Sequence, residues 1–288
     1  MTALARGLAV LRENPRVLYR GLAARLRARR GLPEGLAAIE INGVQVPFDP
    51  QYVSYLNNLY YGARDVALQT ILQHYLAEGD VFLDVGANIG RTSVLALGLV
   101  GPTGAVHCFE PAPHYRQFLE RIRQANPRYR LLVNGVAVGD LPGTARLVLS
   151  RGNIGANSLV PGFVPAHDRE KTIETPVIRL DDYLAENAID RVALIHIDAE
   201  GYEFPVLKGL DGFLRRTARR PPIVCEINPW AYRSLGIGIE TLLAYLREHG
   251  YEARSLYNPR RRIVLRESRR GDVLLLPASA VAAPPPAG

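Results

Sequence analysis

Short apolar runs, several of them ending in an acidic residue, alternate along this chain with stretches whose apolar positions recur every three or four residues. Val81–Val85, Ala105–Phe109, Arg130–Val138, Val192–Ile197 and Ile223–Cys225 are brief, largely apolar and partly β-branched, and read as strands of a parallel sheet buried on both faces. Between them Arg91–Val100, Pro113–Ala125, Leu180–Ala188, Phe204–Arg216 and Glu240–His249 carry helical spacing. Tyr251–Tyr257 and Asp272–Leu276 close the pattern as further strands. Alternation of this kind predicts an α/β domain wound around a parallel sheet.

Ahead of the first core strand the pattern changes. Leu4, Leu8 and Leu11, then Leu18, Leu22 and Leu26, fall at helical spacing, with Asn14-Pro15 placed to close one helix and open the next. Residues Ile39–Phe48 alternate around Asn42-Gly43 and predict a β-hairpin. Arg64–Ala77 reads as a helix. Tyr52, Tyr55, Tyr60 and Tyr61 either floor an acceptor pocket or pack beneath a loop. The expected organisation is a basic helical arm and hairpin over residues 1–62, one α/β domain over 63–277 and a disordered Ala/Pro tail over 278–288. Residues 140–178 break the rhythm with glycines, prolines and two strand-like pieces, Ala145–Leu149 and Thr175–Ile178. An insertion there is placed to cover the acceptor side, where Asn157 and Ser158 either reach a ligand or form a turn.

Charge sharpens this division. Residues 1–30 hold eight arginines against Glu13 alone, which is the whole net charge of +7, so the body balances near zero. A nucleic-acid footprint spread over the fold is therefore not supported. The arm either lies on an anionic membrane or partner, or packs as helices on the domain with solvated arginines. Cys108 and Cys225 sit in apolar runs and read as reduced core residues; no Cys/His spacing marks a metal site. No apolar run reaches the roughly 18 residues of a membrane span, and no compact signal core begins the chain, so a cytoplasmic protein is expected.

The chemistry gathers at strand ends. Val81–Val85 runs into a turn containing Gly86 and Gly90 and then into the helix from Arg91, which together make a nucleotide-binding edge. Glu110 lies 20 positions beyond Gly90, where a doubly wound nucleotide fold places the carboxylate that accepts from ribose hydroxyls. Asp84, Glu110, Asp198 and Glu226 each end an apolar strand, so a parallel sheet brings four acids to one cleft. Asp198 opens the stretch Asp-Ala-Glu-Gly-Tyr-Glu, in which Glu203 is expected to start a helix and Glu200 to face solvent. Asp181 and Asp182, in the first turn of their helix, read as structural. Carboxylates suit a cationic ligand with free ribose hydroxyls and suit a pyrophosphate poorly. The spacing Gly86-x-x-x-Gly90 also lacks the three-glycine dinucleotide pattern. Both observations turn the reading from NAD toward S-adenosylmethionine, whose sulfonium and ammonium are positive.

The succession Leu-Asp-Val-Gly-Ala-Asn-Ile-Gly (83–90), Phe-Glu-Pro (109–111), Val-Ala-Val-Gly-Asp (136–140), Leu-Asp-Asp-Tyr-Leu (180–184), Ile-Asp-Ala-Glu-Gly-Tyr-Glu (197–203) with Val-Leu-Lys-Gly (206–209), and Pro-Ile-Val-Cys-Glu (222–226) resembles the FkbM family of S-adenosylmethionine-dependent methyltransferases. The resemblance implies a class I methyltransferase fold, a doubly wound seven-stranded sheet with the last strand antiparallel, preceded here by the helical and hairpin extension. It implies O-methylation of a hydroxyl on a sugar, glycan or polyketide-type small molecule. By the same resemblance Asp84, Gly86, Ala87, Asn88 and Gly90 would hold the methionine part of the donor, Glu110 the ribose, Val136 and Ala137 the adenine, and Asp198 the region of the sulfonium. His196 stands where the family commonly has lysine, and the first 38 residues lie outside the resemblance.

Methyl transfer needs an aligned nucleophile and excluded water, and a hydroxyl acceptor gains from a base. The candidates are His196, Asp198 and Glu226; strand alternation puts His196 and Asp198 on one side. Asp198 is expected to orient donor or acceptor while His196 or Glu226 takes the proton. No resident metal is predicted, although the acids could take a divalent cation. Two other classes share these features. A nicotinamide-dependent oxidoreductase would bind NAD(H) tightly, and a non-catalytic membrane or glycan-assembly scaffold would lose its function with residues 1–30 but not with Glu110.

Overall fold

The computed structural model describes residues 13–62, 66–153, 155–267 and 270–278. The leucines at 4, 8 and 11, and the tail beyond Ala278, lie outside the described residues. Helix α1 (Pro15–Ala28) starts as Asn14-Pro15 predicts: the Asn14 side chain accepts from the Val17 amide at 3.2 Å and proline fills the first turn. The hairpin of β1 (Ala38–Ile41) and β2 (Val44–Pro47) turns on Asn42 and Gly43, with φ of 51° and 81°. Helices α2 (Val53–Tyr60) and α3 (Val66–Tyr75) follow.

The main domain begins with β3 (Val81–Val85), α4 (Arg91–Val100), β4 (Ala105–Phe109), α5 (Pro113–Ala125) and β5 (Leu131–Asn134). β4 is buried at every position, and α5 buries Tyr115, Phe118, Leu119 and Ile122, one stripe at helical spacing. The run expected as a single strand over Arg130–Val138 divides. Past Gly135 the chain leaves the main sheet, and β6 (Ala137–Val138) pairs parallel with β8 (Arg169–Ile178), which is antiparallel to β7 (Gly143–Ser150). Residues 140–178, where the sequence rhythm breaks, supply β7 and β8 of this small sheet, and β6 precedes them.

Helix α6 (Leu180–Glu186) leads to β9 (Leu194–Ile197). The single helix expected over Phe204–Arg216 is two, α7 (Glu203–Lys208) and α8 (Asp211–Arg216). They part at Gly209, where a Cβ would stand 2.3 Å from the Gly139 carbonyl oxygen, so only glycine lets the helices approach the end of β6. Then come β10 (Ile223–Ile227), α9 (Pro229–Ser234), α10 (Ile239–Glu248), β11 (Tyr251–Arg254) and β12 (Gly271–Pro277).

The seven strands run in the order β11-β12-β10-β9-β3-β4-β5, with β12 antiparallel to both neighbours. One face packs under α3, α4, α5 and the hairpin, and the other under α6 to α10, giving three layers with two cores. Cys108 and Cys225 are buried free thiols. Among the described residues no helix is long and apolar enough to cross a membrane.

Candidate functional site

The strand carboxyl ends meet at the crossing of β3, β4 and β9. Gly86 turns the chain there at φ 78°, and its amide and that of Ala87 both donate to the Phe109 carbonyl, at 3.0 and 3.1 Å. A Cβ on Gly86 would fall 1.9 Å from the Asp198 carbonyl oxygen, so β3 and β9 come this close only because position 86 has no side chain. Asn88, at φ 54°, turns its amide toward Glu110 Oε2 at 2.8 Å. The Ala112 amide donates to Glu110 Oε1, also at 2.8 Å. Burial pushes the Glu110 carboxyl up to about 7 against these two bonds, which favour its charge.

A cleft opens beyond this loop. Its walls include Gly86, Asn88, Glu110, Val136, Ala137 and Asp198, six of the nine residues the sequence points to for the donor. Asp84, Ala87 and Gly90 do not line it. Asp84 is fully buried, with Oδ1 on His196 Nδ1 at 2.8 Å and Oδ2 accepting from Ser93 Oγ at 2.5 Å, so both oxygens are committed within the protein. Ala87 is in the core, and the missing Cβ of Gly90 would point at Leu119 of α5.

The insertion supplies a wall that no motif announces: Leu147 and Leu159 are apolar, and Asn157 turns one buried amide nitrogen that has no hydrogen-bond partner. Asn157 Oδ1 accepts from the Ser150 amide at 2.9 Å, as in the turn reading, while the residue also lines the cleft. Ser158, from the same loop, donates to the Glu200 carbonyl at 2.7 Å. That bond holds a non-glycine residue at φ 48°. Glu200 lines the cleft instead of facing solvent, and the neighbouring Tyr202 lines it too. The only sequence signal for Glu200 is the density of acids after Ile197.

The acids behave as one cluster. Burial, then the charges of Asp198, Glu226 and Glu203, push Glu200 up to about 9. Burial and Glu226 push Glu203 up to about 8; it begins α7 as expected, yet is fully buried with one oxygen on the Gly201 amide at 2.7 Å and the other unpartnered. Burial likewise raises Asp198, against the opposing charge of His196. Glu226 is raised to about 7 by burial, and Arg270 Nε bonds its Oε1 at 3.2 Å. At His196 burial opposes the charged ring, but the Asp84 bond and the charges of Asp84, Asp198 and Asp272 outweigh it and raise the imidazole. His196 and Glu226 stand on the α4 side of the sheet edge, outside the cleft wall. None of the four N-terminal tyrosines lines the cleft: Tyr52 packs edge-on against Phe118, and Tyr55 lies beside Arg91.

Whether this cleft fits a sulfonium nucleoside is tested by its own atoms. Glu110 retains acceptor capacity on two oriented oxygens, Asn157 offers an unpaired N–H, and Asp198 and Glu200 present carboxyls that burial raises and that a cationic ligand would favour in their charged form. The residues fit. Among the described residues no group of three His, Cys, Asp or Glu side chains has a metal-holding arrangement.

The methyltransferase FkbM domain model matches residues 84–253. The 31-O-demethyl-FK506 methyltransferase FkbM of Streptomyces tacrolimicus is 29% identical over 201 residues, 61% of this chain and 74% of that one. Two solved structures show distant likeness. Aeropyrum pernix fibrillarin with bound S-adenosyl-L-methionine has a TM-score of 0.42 at 12% identity, covering 74% of this chain and 75% of that one. The precorrin-6y C5,15-methyltransferase of Geobacter metallireducens has a TM-score of 0.37 at 15% identity, covering 73% and 86%. The family match decides between the methyl-transfer and hydride-transfer readings. The chain belongs to the FkbM methyltransferase family, whose methyl donor is S-adenosylmethionine.

Proposed function

We propose that the chain O-methylates a hydroxyl of a small-molecule or glycan acceptor that meets the donor from the α4 side of the sheet edge, outside the donor cleft, with His196 taking the hydroxyl proton and Asp84 holding the ring. The observation that carries this reading is the buried 2.8 Å contact between His196 Nδ1 and Asp84 Oδ1, which commits one ring nitrogen and leaves Nε2 without a partner among the described residues. Such pairing orients an imidazole and strengthens it as a base. Glu226 is the weaker candidate, because Arg270 balances its charge. The name of the Streptomyces relative places that protein's methyl group on oxygen, in keeping with a hydroxyl acceptor here.

When bound, the donor supplies a methyl group on a positively charged sulfur. Glu110 would accept from its ribose hydroxyls, Asn157 Nδ2 would donate to it, and Val136 and Ala137 would flank its base. Asp198 and Glu200 would face its positive end, and Leu147 and Leu159 keep water from that wall. Gly86 and Asn88 shape the loop beneath.

The test begins with S-adenosylhomocysteine release across a panel of glycan and polyketide hydroxyls. On the acceptor found, His196→Ala lowers kcat by about 10²-fold or more with S-adenosylhomocysteine affinity unchanged. Asp84→Asn lowers kcat and shifts its pH profile, which in the unaltered protein rises through the His196 pKa. Full turnover by His196→Ala with ordinary donor binding would sink the assignment.

A further inference from the structure

Helix α1 turns three large apolar side chains outward: Tyr19, Leu22 and Leu26 are 75%, 49% and 62% exposed. At 100° per residue they fall within a sector about 60° wide. The opposite side carries Val17 and Ala24, the residues the helix buries against the domain. Leu22 and Leu26 are thus not the docking face, and the helical period of the leucines describes an outward stripe. Arginines flank it on both sides, Arg16, Arg20 and Arg27 on one and Arg25 and Arg29 on the other. Residues 14–33 contain no acid. Among the described residues the arginine ion pairs lie elsewhere, at Arg121, Arg179, Arg215 and others, and none of the flanking guanidiniums meets a carboxylate. Arg20 and Arg27 also wall a shallow groove with Tyr19 and Tyr61.

We propose that α1 is a docking face for an anionic lipid bilayer. Leucine side chains can sink to the acyl boundary while arginines on either flank reach up to phosphates, and a tyrosine ring suits the level between. The groove between Arg20 and Arg27 gives a lipid phosphate a place with two cations. A second copy of this helix would bring arginine flank against arginine flank. A polyanion in solution would engage the arginines and leave the central stripe in water.

Flotation of the 288-residue chain with phosphatidylcholine vesicles, with and without phosphatidylglycerol, tests this. Binding is expected to the anionic vesicles, weakening as salt rises. Arg20→Gln with Arg27→Gln is expected to weaken it about thirty-fold, and Leu22→Ser with Leu26→Ser about tenfold. Both pairs are solvent-facing and leave the melting temperature and S-adenosylhomocysteine affinity unchanged. Three results would each overturn the proposal: no flotation with anionic vesicles at low salt, equal flotation with both vesicle types, or loss with the arginine pair but none with the leucine pair. The last is what an acidic protein or other soluble polyanion would produce.

Discussion

Replacing Gly86 by alanine isolates the close approach on which the loop between β3 and α4 depends. The new Cβ would stand 1.9 Å from the Asp198 carbonyl oxygen and 2.7 Å from its carbon, both backbone atoms that cannot swing aside. The Asp198 amide is itself bonded to the Val85 carbonyl at 2.9 Å, so relief requires moving β9 against β3 by roughly 1 Å, and overpacking of that kind costs about 1–3 kcal/mol or more. The φ of 78° adds roughly 1 kcal/mol for a residue with a Cβ. Together these predict a loss of about 2–4 kcal/mol, a fall of roughly 4–16 °C in melting temperature at about 2–4 °C per kcal/mol. Gly236→Ala is the control: its φ is 74°, but nothing lies within 4 Å of the added Cβ. It carries the backbone cost alone, about 1 kcal/mol or roughly 2–4 °C. Differential scanning calorimetry with and without S-adenosylhomocysteine reads both effects, and the ligand's stabilising shift should shrink in Gly86→Ala but not in Gly236→Ala. Equal melting losses for the two variants would refute the argument from proximity.

Three further outcomes follow from the acid cluster and its supports. Glu203 keeps its proton to about 8 in the folded protein, whereas the unfolded chain releases it near 4.5, so ligand-free stability falls as pH rises between those values; Glu203→Gln should flatten that slope and raise the melting temperature at the alkaline end. With Glu110 on the donor ribose as proposed, the hydroxyls would favour its ionised form, so S-adenosylhomocysteine affinity should climb as pH passes through about 7, while calorimetry on Glu110→Gln should show weaker, pH-independent binding. Ser158→Ala removes the hydroxyl that holds the Glu200 carbonyl and should cost about 1–3 kcal/mol in thermal unfolding and raise the donor KM more than it lowers kcat; an unchanged KM would separate the strap from the cleft.

The chain's own pattern determined the succession of strands and helices, the Asn42-Gly43 hairpin, the cap at Asn14 and the meeting of acids at one sheet edge. Each of these rests on local chemistry: alternation, turn residues, and the rule that parallel strands end together. What each acid does was decided only by tertiary contacts. Asp84 faces His196 across 112 positions of sequence, and that pairing, with Ser93, takes it out of the cleft. Glu200 lines the cleft because Ser158, 42 positions earlier, holds its carbonyl in a conformation nothing local favours. The break at Gly209 belongs to its contact with Gly139, and the division of β5 from β6 belongs to the pairing of β6 with β8. For α1, helical spacing fixed that an apolar stripe exists, but spacing is silent about direction. Docking through Val17 and Ala24, two small side chains that let the helix sit close, turned the larger leucines to solvent.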